Sequence, residues 1–321
     1  MKVQSNSVLL LTLSLVITLG TMPSNASAQQ SAPDEVVRIN ADLVLLDAQV
    51  IDKKTGRPVD GLTKEDFELY DNGVRQQISY FSRDELPLSI LLLLDISGSV
   101  RPIISQIRDG ALNALQRLKP EDEVAVMAFA TRAELAHGFT RDRQAIVSKI
   151  NEVSEEFDLG KETFLHQAVH QAAVEMSKAS NPASRRVVIV VTDNMVPPGN
   201  AGPMKGALVE LFESGTVVYG LIVRTALIKA LNIMTLGLIR GVDKYADQTG
   251  GDVLKSGREE VATKLAEIIA RLRTRYSLGY KPSDRIGDGK FRPLKLRLSA
   301  RASSQKGKPV VRTKRGYYFR R

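Results

Sequence analysis

Across residues 87–275 the hydrophobic positions come in two alternating forms. Nearly unbroken apolar runs at 88–95 (LSILLLLD), 123–130 (EVAVMAFA), 185–193 (RRVVIVVTD) and 215–223 (GTVVYGLIV) are separated by stretches at 104–118, 141–153, 163–179, 204–214 and 258–275 whose apolar residues recur every three to four positions. A run with no polar face predicts a strand buried on both sides, and the periodic stretches predict the amphipathic helices that bury it. The expected fold is α/β: a doubly wound, mostly parallel sheet with helices on both faces. Right-handed crossovers then bring the C-terminal ends of the parallel strands to one rim.

The flanks follow a period of two. Residues 36–52, 66–81, 275–282, 291–300 and 308–319 read as short strands separated by turn residues, with Asp71-Asn72-Gly73 as a hairpin turn. Neither flank holds enough apolar residues for a core of its own. Residues 29–86 and 276–321 are therefore expected to pair, through 35–86, into one small β domain beside a central domain at 87–275. Ahead of them, Lys2, an apolar run at 8–19, Pro23 and Ala26-Ser27-Ala28 form the pattern of a secretory signal peptide, 1–28, cleaved after Ala28. That run is shorter than the roughly 20 residues a membrane-spanning helix needs. Export predicts a periplasmic, cell-envelope or extracellular location.

The chain contains no cysteine, so it has neither disulfides nor a lipidated cysteine anchor. Its net charge of +9 is uneven: residues 271–321 hold seventeen Lys and Arg against Asp284 and Asp288. Such a run predicts contact with an anionic glycan or a membrane surface, or else charges on the solvent side of short strands. Alternation with Leu, Val and Tyr favours the strand explanation. Nucleic acid is the weakest partner, because export removes it.

The rim is where the polar chemistry collects. Asp95, Ser97 and Ser99 end the first buried run, Thr163 precedes the helix at 163–179, and Asp193 ends the run at 185–193. All five are oxygen donors with no His or Cys among them, which suits Mg²⁺, with Mn²⁺ or Ca²⁺ as alternatives, and not Zn²⁺. A carboxylate at the tip of a buried strand costs several kcal/mol when unpaired, and a cation removes that cost. Capping of the following helix by Asp95 and the serines is the plainer explanation for one residue, but not for five donors from three segments.

Asp95-x-Ser97-x-Ser99, followed by Thr163 in ETFLHQAV and Asp193 in VVTDN, resembles the metal-ion-dependent adhesion site of von Willebrand factor type A domains over about 87–275. The flanking strands are similar to those of bacterial secreted proteins that carry such a domain between β segments. The resemblance implies that Ser97 and Ser99 ligate the cation directly, that Thr163 ligates in some states, and that Asp95 and Asp193 act through water. It also implies that a carboxylate of a partner protein completes the coordination and that the last helix moves between states. Two departures stand out: Gly160-Lys161-Glu162 precedes the threonine where relatives have Gly-rich sequences, and Asn194 follows Asp193 where Gly is common.

The function implied is an exported, divalent-cation-dependent binding module for adhesion or scaffolding, and not an enzyme. A metal-dependent hydrolase lacks a Ser-His-Asp spacing, a Gly-x-Ser-x-Gly elbow and a phosphate loop, and a chelatase-type subunit conflicts with export. Among weaker features, His166 and His170 at i, i+4 predict a helix face more readily than half a zinc site. The apolar segment 224–241 predicts either a packed helix or a partner surface at the rim, and Glu155, Glu156 and Asp158 predict an exposed acidic loop.

Overall fold

The computed structural model describes residues 43–83, 85–195, 204–224, 241–283, 289–305 and 309–318. The expected signal peptide and most of the apolar segment 224–241 lie outside the described residues. From Asn40 to Arg321 the chain forms one compact unit. It begins with β1 (Val44–Asp52), β2 (Phe67–Asp71), β3 (Val74–Gln76) and β4 (Ile78–Ser82). The central part then runs β5 (Leu88–Asp95), α1 (Ile104–Leu115), β6 (Glu123–Phe129), β7 (Ala133–Thr140), α2 (Arg143–Glu155), α3 (Leu165–Met176) and β8 (Arg185–Thr192). It continues through α4 (Met204–Glu213), β9 (Val217–Val223), α5 (Gly241–Thr249), β10 (Val253–Ser256) and α6 (Val261–Arg273). The C-terminal part holds β11 (Tyr276–Tyr280), β12 (Phe291–Leu298), α7 (Ala300–Gln305), β13 (Pro309–Arg312) and β14 (Gly316–Tyr318).

The central sheet has the order β10-β9-β8-β5-β6-β7, parallel except for β7, which pairs antiparallel with β6 at the edge. Every residue of β5 is buried. Ile90, Leu92 and Leu94 pack with Ile107 of α1, Ile146 of α2 and Leu265 of α6, whereas Leu91 and Leu93 pack with Val169 of α3, Leu211 of α4 and Tyr245 of α5. Each such side chain contributes about 1.5–3 kcal/mol by leaving water. The sequence pattern did not announce β7, α5 or β10. β7 lies at the edge with three of its eight residues exposed and none buried, so it lacks an apolar run.

The two flanks build one sandwich. Its sheets, β13-β1-β11-β4 and β14-β12-β2-β3, are antiparallel, and each takes strands from both ends of the chain. Leu46, Ala48, Leu69, Leu278 and Leu296 fill the space between them. Strand β12 alternates exposed and buried residues along its whole length, with Lys295 and Arg297 outward. The turn at Asn72 and Gly73 has φ of 48° and 83°, as a tight hairpin turn requires.

The sandwich sits against the N-terminal ends of the parallel strands, and buried arginines make the joint. Arg185, the first residue of β8, donates from Nε to Asp47 Oδ2 on β1 (2.7 Å) and from Nη1 to Leu272 O (2.5 Å). Arg275 is fully buried between α6 and β11 and donates to Tyr219 OH (3.1 Å), Gly250 O (3.0 Å) and Asp47 O (3.2 Å). Burial alone would raise the Asp47 carboxyl, but Arg185 and Arg275 outweigh it and hold it below the usual carboxylate range. Nearby, burial pushes the Lys314 ammonium down to about 8, with Asp47 offsetting part of the effect.

Two predictions follow from this joint. Arg185→Ala leaves the Leu272 carbonyl without this donor and Asp47 with only the Ser277 hydroxyl and the charge of Arg275, so urea unfolding should show a loss of about 3 kcal/mol; a loss within error of zero would remove the joint from the account of stability. Lys314 keeps its proton in the unfolded chain above the pH at which the folded chain releases it. Wild-type stability relative to Lys314→Met should therefore rise between pH about 8 and about 10, and a flat difference would contradict the burial.

Candidate metal centre

Strand order alone creates a crevice. The chain leaves β5 for α1 on one face of the sheet, whereas the helix after β8, α4, lies on the other face, so the loops diverge between two adjacent parallel strands. Open α/β sheets bind ligands at such a switch point. Asp95 ends β5 and Asp193 follows the last residue of β8, one on each side of it.

Both carboxylates are buried, Asp95 at 0% and Asp193 at 2% exposure. Asp95 Oδ1 accepts from Ser97 N (2.9 Å), and Oδ2 accepts from Thr192 Oγ1 (2.5 Å). These bonds curl the chain after β5 so that Ser97 Oγ and Ser99 Oγ lie 3.4 Å apart. Asp193 Oδ1 accepts from Met195 N (3.0 Å), while Oδ2 is buried with no hydrogen-bond partner among the described residues. Burial, and after it the negative charge of Asp193, raises Asp95 to about 7. Asp193 is raised as well, by burial, with the Ser99 hydroxyl and the Met195 amide working against it.

Thr163 comes from a third segment. It is 3% exposed. Its loop is tied to the serine turn by Gly98 N, which donates to Lys161 O (3.0 Å), and to the end of β6 by Phe164 N, which donates to Ala130 O (2.9 Å). Thr131 Oγ1 accepts from Glu162 N (3.2 Å) beside Gly160, whose φ is 92°. The structure thus joins Asp95, Ser97, Ser99 and Asp193 in one charge and hydrogen-bond cluster and stitches the Thr163 loop onto it.

An orphaned carboxylate oxygen and two mutually repelling acids, beside the hydroxyls of Ser97 and Ser99, form a donor set with a deficit of positive charge. The set fits a hard divalent cation. Among the described residues no cluster of three or more His, Cys, Asp or Glu competes as a metal site. His166 is buried and bonded through Nδ1 to Tyr245 OH (2.7 Å), and burial lowers its pKa; His170, one turn further on, is exposed, and no third His, Cys, Asp or Glu gathers with the pair among the described residues. Glu155 and Asp158 are exposed, the first near Arg108 (3.3 Å), the second accepting from Gly160 N (3.1 Å).

Two residues of the site were not picked out from sequence. Thr192 supplies the hydroxyl that holds Asp95, and its signal was a β-branched hydroxyl residue at the tip of an otherwise aliphatic strand. Asn194, noted only as a departure, has φ of 61°. Glycine is common at this position for the same backbone reason.

The fold and the crevice define a doubly wound α/β domain with an oxygen-donor site at its switch point. Residues 90–196 match the family model of the von Willebrand factor type A domain, and the chain carries a domain of that family. Among solved structures, the conserved hypothetical protein BatB from Bacteroides thetaiotaomicron shares 17% identity over 58% of this chain and 98% of its own, with a TM-score of 0.46. A von Willebrand factor type A protein from Catenulispora acidiphila shares 11% over 81% of this chain and 70% of its own (TM-score 0.47). Proximal thread matrix protein 1 from the mussel byssus, in a form whose adhesion-site motif is occupied by zinc, shares 16% over 59% and 48% (TM-score 0.45). No curated protein matches the chain.

Repulsion between the two acids predicts how the metal-free protein responds to charge removal. In excess chelator, Asp95→Asn keeps an acceptor for Ser97 N, turns an amide N–H toward Thr192 Oγ1, which can accept it by rotating its own hydrogen, and deletes a charge beside Asp193. Its Tm should equal or exceed that of the wild type, by about 2 °C per kcal/mol regained. Asp95→Ala, which unpairs both donors, should lower Tm; equal losses in the two variants would show that the charge is not under strain.

Proposed function

We propose that this protein is an exported, divalent-cation-dependent binding module that holds a carboxylate of a partner protein at the rim of its type A domain. The observation that carries this is the pair of buried acids Asp95 and Asp193, with Asp193 Oδ2 orphaned, beside the hydroxyls of Ser97 and Ser99, and the Thr163 loop joined to that serine turn through Gly98 N and Lys161 O. In this reading Ser97, Ser99 and Thr163 contact the cation, while Asp95 and Asp193 orient its water and neutralise its charge. The bound cation supplies positive charge and a Lewis-acidic position for an incoming carboxylate. Mg²⁺ is the proposed ion, on the hardness of the donors, with Mn²⁺ or Ca²⁺ as alternatives.

The surroundings support binding over catalysis. An acid–base mechanism needs a positioned proton carrier at the reacting centre. The imidazole next in sequence to Thr163 belongs to His166, and its Nδ1 is engaged by Tyr245. Export rests on the N-terminal pattern of Lys2, the apolar run and Ala26-Ser27-Ala28. Among the described residues no helix is long and apolar enough to cross a membrane.

Calorimetric titration of residues 29–321 with Mg²⁺, Mn²⁺ and Ca²⁺ tests the site. Saturable binding is expected in the wild type and its loss in Asp95→Ala and in Ser97→Ala/Ser99→Ala. Cation at a hundred times its Kd should stabilise the fold by about 2.7 kcal/mol, and chelator should reverse the rise in Tm. A wild type that binds none of the three ions would leave the rim as a structural cap.

A further inference from the structure

The loop that carries Asp193 is held in a way that points to one more residue. Asn194 has left-handed backbone geometry (φ 61°), which turns the chain so that Met195 N reaches back to Asp193 Oδ1 (3.0 Å). Its own N–H donates to Thr192 Oγ1 (2.9 Å), the hydroxyl that in turn donates to Asp95 Oδ2. Its side chain spans to another element: Oδ1 accepts from Val242 N (3.2 Å), and Nδ2 lies 3.4 Å from Asp243 Oδ2. Val242 is the second residue of α5, so its N–H has no partner within the helix and needs one from outside.

We propose that Asn194 is the positioning residue of the cation site, clamping the Asp193 turn onto the start of α5 so that the orphaned Oδ2 stays aimed into the crevice. This rests on the cation site proposed above. Glycine would satisfy the left-handed turn at lower conformational strain, but it would leave Val242 N unpaired and the turn free to rotate. Asparagine tolerates this conformation better than other residues with a side chain and adds the bridge. The anchor is itself fixed: Val242, Tyr245 and Ala246 of α5 are buried, and Tyr245 OH bonds His166 on α3, the helix that follows Thr163. One clamp therefore ties the Asp193 side of the crevice to the Thr163 side.

Asn194→Gly separates the side chain from the backbone geometry and keeps the turn accessible, so folding is preserved. Its Mg²⁺ affinity by calorimetry should fall about 10- to 100-fold, the range for outer residues that orient a metal's ligands. Asp243→Ala, which removes only the longer of the two side-chain contacts, should stay within about threefold of the wild type. Amide hydrogen exchange in chelator gives a readout that needs no metal: Val242 and Met195 should exchange at least about tenfold faster in Asn194→Gly, with helices α1 and α6 unchanged. Unaltered exchange at those two amides would overturn the clamp whether or not the protein binds metal. Unaltered Mg²⁺ affinity with faster exchange would overturn its role in positioning. A wild type that fails to bind Mg²⁺ would instead count against the cation site, and the exchange data would still decide the clamp.

Discussion

A parallel sheet covered on both faces can hold charge only at its two ends, and this constraint organises the molecule. Every residue of β5, β6 and β9 is buried, so polar groups gather where the strands stop. At the C-terminal ends lie Asp95 and Asp193, short of positive charge. At the N-terminal ends the charges are paired within the chain: Arg185, at the start of β8, meets Asp47 of the sandwich, Arg273 of α6 meets Asp122, whose Oδ1 accepts from Leu88 N (2.8 Å), and Glu123, at the start of β6, accepts from the hydroxyls of Ser89 and Ser180. A cation would answer the deficit at one end, while the sandwich answers the deficit at the other. The sandwich is in this sense the lid on the charged base of the sheet.

Among the described residues, six arginines of the basic C-terminal stretch pair with acids of the same chain. Arg271 and Arg312 share Asp252, Arg273 pairs with Asp122, Arg297 with Glu68, Arg301 with Asp66 and Arg315 with Asp247. These acids come from the N-terminal flank and the central domain, the parts that carry the compensating negative charge. The pairs with exposed arginines, Arg297–Glu68, Arg301–Asp66 and Arg315–Asp247, contribute about 0–1 kcal/mol each, whereas Arg271–Asp252 and Arg273–Asp122 are largely buried. Their consequence is specificity: the charges favour docking of the C-terminal strands on this base over other placements, while Leu294, Leu296 and Leu298 supply the burial.

Legibility in the sequence followed burial. β5, β8 and β9 were plain because solvent touches neither face, and the strand-tip acids were plain because such positions are costly to fill with charge. β7 was hidden by its exposed edge. α5 was hidden differently: Val242, Tyr245, Ala246 and Thr249 do recur at helical spacing, but Asp243, Lys244, Asp247 and Gln248 between them and the following Gly250-Gly251 made the segment read as loop. Within the site the ligand candidates came from residue type and order along the chain. Thr192 and Asn194 did not, because their roles depend on which atoms lie across the crevice, and a helix about 50 residues later provides the partner for one of them. That distance is a matter of packing, which spacing along the chain does not encode.

The same packing bears on how this type A domain can move. The resemblance to type A domains carries the expectation of a last helix that moves between states. Here that helix, α6, passes into β11 with only Thr274 and Arg275 between them, and β11 lies between β1 and β4 within the sandwich. Arg271, Arg273 and Arg275 follow one another at the joint, and each is bonded to a different strand-end group: Asp252, Asp122, and Gly250 with Tyr219. At Gly250 the chain runs so close to Thr313 that a Cβ would come within 2.3 Å of its backbone carbon. A shift of one helical turn, about 5.4 Å, would have to break these bonds and drag β11 out of register with β1. The pairing that closes the sandwich therefore opposes a displacement of α6, and any such shift would have to unmake the joint first.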